Sequence, residues 1–137
     1  MSEILSTYPL IRKNQKIETF HICEHPGKFV FATKDYIKKN IKGEHSFVFQ
    51  SLNTDLMPHG FKIDNTLKND PTGILDYGKN KTGDITDINN IKYYIDKYKG
   101  NNFSLFTSDC GEDCSEDPIN QENRLYIVYL SALIIVI

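Results

Sequence analysis

Lys16-Ile17-Glu18-Thr19-Phe20-His21-Ile22-Cys23-Glu24-His25-Pro26-Gly27-Lys28-Phe29-Val30-Phe31-Ala32 is the stretch on which the fold turns. Two short runs of apolar and β-branched residues, Lys16 to Cys23 and Lys28 to Ala32, flank Glu24-His25-Pro26-Gly27, a strong turn signal. The pattern predicts two strands meeting at a hairpin or a sharp corner. Thr33 then predicts the cap of a helix from about Lys34 to Lys42, with Asp35 in the first turn, Lys38, Lys39 and Lys42 near the end, and Gly43 beyond it. Ile37 and Ile41, four residues apart, supply its core face.

Further along, Ser46-Phe47-Val48-Phe49-Gln50 predicts a strand, and Asn53, Asp55, Pro58 and Gly60 a loop before a shorter strand from Phe61 to Asp64. Asn65 to Asp84 is polar, anchored only by Leu67, Ile74, Leu75 and Tyr77, and exceeds the usual length of a connection. Asp87 to Lys99 carries Ile88, Ile91, Ile95 and Tyr98 on one helical face, with Gly100 as its stop. A strand from Asn102 to Thr107 and an acidic loop from Ser108 to Asn123 follow. The closing run, Leu125 to Ile137, is rich in Ile, Val and Tyr and predicts a buried strand. It is shorter than the ~17–25 residues of a membrane-crossing helix, so no membrane span is expected.

Together these elements predict a single α+β domain over residues 1–137, with a mostly antiparallel or mixed sheet of about 5–7 strands and two helices. Hydrophobic residues at 39% and charged residues at 25% are ordinary for a folded domain. A formal net charge of -2, with Arg12 and Arg124 the only arginines, disfavours nucleic acid as a partner. The bias toward Ile, Asn and Lys suits an AT-rich coding genome, as some viruses and phages possess. The N-terminus shows no secretory signal and the cysteine count of 3 is odd, so the expectation is a cytosolic protein, in the host cytosol if viral, without a disulfide framework.

Several groups of residues are candidates for chemistry. His21, Cys23 and His25 alternate along the chain and would share one face of an extended strand; with Cys110 and Cys114 they would offer soft ligands for zinc. Asp109, Glu112, Asp113, Glu116 and Asp117 crowd an oxygen-rich loop without the ligand spacing of a calcium-binding hand. Cys23 with His45 or His59 would make a thiol-imidazole pair, and His21 is a further candidate for histidine-dependent catalysis. Gly73-Ile74-Leu75-Asp76-Tyr77-Gly78-Lys79-Asn80 approaches a phosphate-binding loop but has Asn80 where a hydroxyl must hold magnesium; Lys79 and Lys81 stay as candidates for an anionic ligand.

Phe20-His21-Ile22 followed by Gly27-Lys28-Phe29-Val30-Phe31-Ala32-Thr33 resembles the first two strands of ADP-ribosyltransferase-like domains. The resemblance implies that His21 and an aromatic residue on the next strand clamp an NAD-derived ligand and that a later acid, here Glu122, assists transfer. Ile22 stands where that family usually has Gly, and Phe31 where Tyr is common.

No complete acid-base or nucleophile set is visible, while two long polar loops are. The leading expectation is therefore a non-catalytic binding module with a protein or small-molecule partner, such as a viral or host-interaction accessory factor. A small histidine-dependent or ADP-ribosyltransferase-like enzyme and a zinc-stabilised domain are the alternatives. Strand order, partner identity and oligomeric state are not written in the sequence.

Overall fold

Gly27, at φ 113°, turns the chain out of the first strand and into a helix, Lys28–Asn40. In this computed structural model residues 1–11, 16–41, 43–56, 62–111 and 117–137 are described. The expected second strand, Lys28 to Ala32, is thus the first turn and a half of that helix. Val30, Thr33 and Ile37 are its buried residues, spaced three and four apart, so the helical period prevails over the β-branched and aromatic composition. The helix keeps Lys38 and Lys39 in its last turn, where cations suit the dipole.

The chain order is α1 (Ser2–Thr7), β1 (Lys16–Ile22), α2 (Lys28–Asn40), β2 (Glu44–Phe49), α3 (Asn65–Lys68), β3 (Gly73–Leu75), α4 (Ile88–Tyr98), β4 (Leu105–Ser108) and α5 (Gln121–Val136). The strands form one sheet in the order β3-β2-β1-β4, and every pairing is parallel. Lys16 faces Glu44 and His21 faces Phe49 across β1 and β2, while His21 faces Thr107 across β1 and β4. This corrects the expectation of an antiparallel or mixed sheet of more strands with two helices: the described residues form four parallel strands and five helices. Parallel strands need crossovers and cover on both faces, which explains why β1 is buried almost throughout rather than on alternate residues.

One face carries Ile17, Phe47 and Phe49 against Leu5, Val30, Ile37 and Leu67 of α1, α2 and α3. The opposite face carries Phe20, Ile22 and Val48 against Tyr94 of α4 and Ala132 of α5. Phe20 sits amid Tyr94, Tyr98, Phe103 and Phe106, with ring centroids 5.1 to 6.3 Å away.

The helix expected over Asp87 to Lys99 forms as α4, its first turn capped by the Asp87 carboxylate, which accepts the Asn89 amide at 2.7 Å. The shorter expected strand does not form over its described residues 62–64, although Ile63 is buried; Phe61 lies outside the described residues. The polar stretch after it holds α3 and the three-residue edge strand β3, so Gly73 opens a strand instead of a phosphate loop.

The closing apolar run is helix α5 and not a strand. Leu125, Val128, Ala132 and Ile135 recur at helical spacing on its packed side, while Tyr126, Ile127, Tyr129, Leu133 and Ile134 are exposed. Among the described residues no helix is long and apolar enough to cross a membrane.

Candidate functional site

Two crossovers place strands on opposite sides of β1. The α2 crossover leads to β2 on one side, and the α4 crossover carries the chain back over the sheet to β4 on the other. The loops after β1 and β4 therefore diverge at the carboxyl ends of the strands, which is where doubly wound sheets open a ligand crevice.

Backbone and side-chain bonds stitch that edge together. The Asp109 amide donates to the Ile22 carbonyl at 3.0 Å, the Glu24 amide to the Gln50 carbonyl at 2.8 Å, and the Asp76 amide to the Phe49 carbonyl at 3.0 Å. Gln50, 1% exposed, accepts the Cys23 amide on Oε1 at 3.0 Å and donates from Nε2 to the Gly83 carbonyl. Gly83 is obligatory there: at φ +71°, an added Cβ would stand 1.8 Å from the Ser51 carbonyl oxygen.

The turn after β1 places an acid under the start of α2. Glu24 is fully buried, and its Oε2 accepts the Phe29 amide at 3.2 Å, while Oε1 has no hydrogen-bonding partner among the described residues. Burial pushes the Glu24 carboxyl up to about 7, with the nearby Asp109 charge adding to the rise and the Phe29 and Val30 amides and the Thr107 hydroxyl opposing it. Asp109, at the end of β4, is exposed.

Cys23 and Cys110 meet across the same edge. Cys23 donates its thiol hydrogen toward Cys110, which holds the Cys110 thiol below its ordinary range; Cys23, spent as donor and buried, is pushed up. Ser108 Oγ lies 2.9 Å from Cys110 Sγ.

Beneath α2, buried polar side chains run across three strands. Thr107 Oγ1 lies 2.7 Å from His21 Nδ1, His21 Nε2 lies 2.8 Å from Thr19 Oγ1, and Thr19 Oγ1 lies 2.9 Å from His45 Nε2. Burial, and secondarily each ring's charged surroundings, lowers His21 to about 3 and His45 to about 4, so both imidazoles are neutral near pH 7.

At the end of β3, Asp76 is 3% exposed and accepts from Lys97 Nζ at 2.6 Å, Tyr98 Oη at 2.7 Å and the Gly78 amide at 2.9 Å. Burial pulls its carboxyl upward, but Lys97, Tyr98 and the Gly78 amide together hold it below its ordinary value.

The candidates read from sequence separate accordingly. His21 and Cys23 do not share a face: Cys23 adopts φ 59°, so its side chain joins the α4 and α5 side with Cys110, while His21 is tied to Thr19 and Thr107 under α2. His25 lies partly buried in the turn. Cys114 and His59 lie outside the described residues. Among the described residues no three His, Cys, Asp or Glu side chains converge as a metal site.

His45 is linked to His21 through Thr19, not to Cys23. Lys79 lines an open pocket of about 650 Å³ with Asn89, Lys92, Tyr93, Asp96 and Lys97, and the Lys81 carbonyl accepts from Asn53 at 2.9 Å. The strand pair behind the ADP-ribosyltransferase resemblance is not formed, because Lys28 to Thr33 is helical. Sequence reading missed Glu24, Thr19, Thr107, Gln50 and Asp76; the available signal was the turn itself, had its second flank been read as a helix.

Four parallel strands in this order, covered by helices on both faces, define a doubly wound α/β domain. The chain is 31% identical over 133 residues to uncharacterized protein L511 of Acanthamoeba polyphaga mimivirus, with 90% of this chain and 16% of that protein covered. It is 30% identical over 134 residues to cap-specific mRNA (nucleoside-2'-O-)-methyltransferase 2 of Pongo abelii, with 88% of this chain and 17% of that protein covered. The chain thus spans about a sixth of the length of these two relatives. No protein-family model and no solved structure matches it.

Proposed function

We propose that this chain is the donor-binding part of a methyltransferase, holding an S-adenosylmethionine-type donor at the carboxyl ends of β1, β2 and β4 for transfer to a nucleoside 2′-oxygen. The observation that carries this reading is the buried Glu24 carboxyl, with an unpartnered Oε1, in the tight turn at the switch point. Two features favour a cationic ligand there over a dinucleotide. Glu24 itself accepts the Phe29 amide, so the helix end that would cradle a pyrophosphate already faces a carboxyl group. Asp109 adds a second acid at the rim.

A donor of this class supplies a methyl group on a sulfonium, which leaves as a neutral thioether once the methyl is transferred. The chain's residues bind and orient: Glu24 faces a cationic group, and the Gln50 latch fixes the loops after β1 and β3. The similarity to a protein named as a nucleoside-2'-O-methyltransferase supports the reaction class. A net charge of -2 fits a part that holds the donor rather than the RNA.

Titration calorimetry with S-adenosylmethionine, S-adenosylhomocysteine and NAD tests the reading. Saturable binding of the two adenosyl compounds and not of NAD is expected; the absence of binding by both adenosyl compounds overturns it.

A further inference from the structure

Asn89, Lys92, Tyr93 and Asp96 recur at helical spacing on α4 and share the face opposite its buried Ile91 and Tyr94. With Lys97 beside them and Lys79 from the loop after β3, they line the open pocket of about 650 Å³. That volume lies within the ~300–1,000 Å³ of small-molecule sites and exceeds what a bare inorganic ion fills.

Two of the lysines are held in place. Lys97 Nζ donates to Asp76 Oδ2 at 2.6 Å and to Tyr93 Oη at 2.9 Å, and it stands 5.1 and 5.2 Å from the centroids of the Tyr93 and Tyr98 rings. Lys79 is placed through its neighbour Asn80, whose backbone amide donates to Asn90 Oδ1 at 3.3 Å and whose side-chain amide donates to Asp87 Oδ2 at 2.7 Å. Asn90 is fully buried and returns a bond to Asn80 Oδ1 at 2.9 Å. The loop is therefore tied to α4, and the Lys79 backbone with it.

The pocket keeps hydrogen-bonding capacity that the fold does not use. Among the described residues the Lys79 and Lys92 ammoniums and the Asp96 carboxylate make no hydrogen bond or ion pair, even though Lys92 and Asp96 stand four residues apart on the helix. Tyr93 Oη accepts from Lys97, so its own hydrogen remains to donate. Cationic and phenolic donors thus face the same space as one carboxylate acceptor, which lies a helical turn beyond Lys92, ~5.4 Å along the axis. Donors of that kind hold a phosphate, and a carboxylate accepts a hydroxyl hydrogen. Asp96 repels a bare phosphate and favours an anion that brings its own hydroxyl.

We propose that this pocket binds a ribonucleoside monophosphate, with the phosphate on Lys79, Lys92 and the Tyr93 hydroxyl and the ribose 2′-hydroxyl donating to Asp96. Three ammoniums against the carboxylates of Asp96 and Asp76 leave an excess of one positive charge, which suits a single phosphate and not a run of them along a nucleic-acid strand. The net charge of -2 over the chain points the same way. The pocket shares no residue with the crevice proposed above for the methyl donor, so the two sites stand or fall separately.

The experiment is a titration of the ¹⁵N-labelled full chain, followed by ¹H–¹⁵N correlation spectra, with uridine 5′-monophosphate, deoxyuridine 5′-monophosphate, inorganic phosphate and a single-stranded oligouridine. A pyrimidine keeps the readout apart from adenosyl compounds. Uridine monophosphate is expected to shift the amides of Lys79, Asn89, Lys92, Tyr93 and Asp96 saturably, and excess S-adenosylhomocysteine should leave its affinity unchanged. Lys79→Ala and Lys92→Ala should each weaken it about tenfold, the worth of one charge-assisted hydrogen bond. Deoxyuridine monophosphate should bind more weakly than the ribonucleotide, and Asp96→Ala should bring the two to equal affinity. All three positions are exposed, so these variants should keep the parent spectrum elsewhere. The proposal is overturned by the absence of saturable shifts at these residues, by inorganic phosphate binding as tightly as the nucleotide, by the oligouridine binding more tightly than the mononucleotide, or by an affinity indifferent to Lys79 and Lys92.

Discussion

Replacing Glu24 by glutamine should make the protein more stable at neutral pH, by an amount that depends on pH in a defined way. Glu24 is fully buried, and its carboxyl stands at about 7 against an ordinary value of 4.5. Between those values the folded chain binds the proton more tightly than the unfolded chain, so stability falls as pH rises through the window. At about 1.36 kcal/mol per pH unit, the full effect is about 3 kcal/mol. His21 and His45 work in the opposite sense: their values drop from 6.5 to about 3 and about 4, so their contribution is present above 6.5 and is lost as pH falls. Subtracting the two proteins cancels the histidines. The side-chain carbonyl of the introduced glutamine would still accept the Phe29 amide, so capping is kept. Urea unfolding followed by far-UV circular dichroism should show the Glu24→Gln advantage growing by about 3 kcal/mol from about pH 4 to about pH 8. A constant difference across that range would refute the reasoning.

Three further perturbations probe the fold and the site. Gly83→Ala forces a Cβ toward the Ser51 carbonyl oxygen at a left-handed backbone position and should cost about 3 kcal/mol in the same unfolding assay. On α5, Ala132→Glu buries a charge in the core and should cost about 3 kcal/mol or more, whereas Leu133→Glu, 54% exposed, should stay within about 0.5 kcal/mol; equal costs would contradict the helix assignment. Cys23→Ala removes the hydrogen donated to Cys110, so the pH midpoint for alkylation of Cys110, read by mass spectrometry, should move up; an unchanged midpoint would break the thiol pairing.

The elements legible in the sequence are those whose signals are local. α4 has its cap at Asp87, its apolar spacing and its stop at Gly100, and the apolar runs of β1 and β2 are short and bounded. The elements misread are α2 and α5, where Phe, Val, Ile and Tyr suggest strand while the buried positions follow a helical period: Val30, Thr33 and Ile37 in one, Leu125, Val128, Ala132 and Ile135 in the other. Composition and periodicity disagreed, and packing against the sheet decided for periodicity. Misreading α2 turned a strand-turn-helix into a hairpin, and the parallel topology was lost with it. The site went the same way. Alternation placed His21 and Cys23 on one face, but the left-handed backbone at Cys23 ends that alternation, so the imidazole and the thiol serve opposite layers.

Glu24 gains its interest from what a different residue there would do equally well. A glutamine could accept the Phe29 amide and fill the same space, and would spare the protein the cost of ionising a buried acid near neutral pH. The structural role of the side chain therefore does not call for a carboxyl. Only two properties separate the two residues: a negative charge that can face a cation, and a proton that can come and go. The unpartnered Oε1 serves the first. A destabilising group whose distinguishing charge is left unpartnered in a tight turn is what a binding site for a cation requires, since sites hold interactions that folding alone would discard.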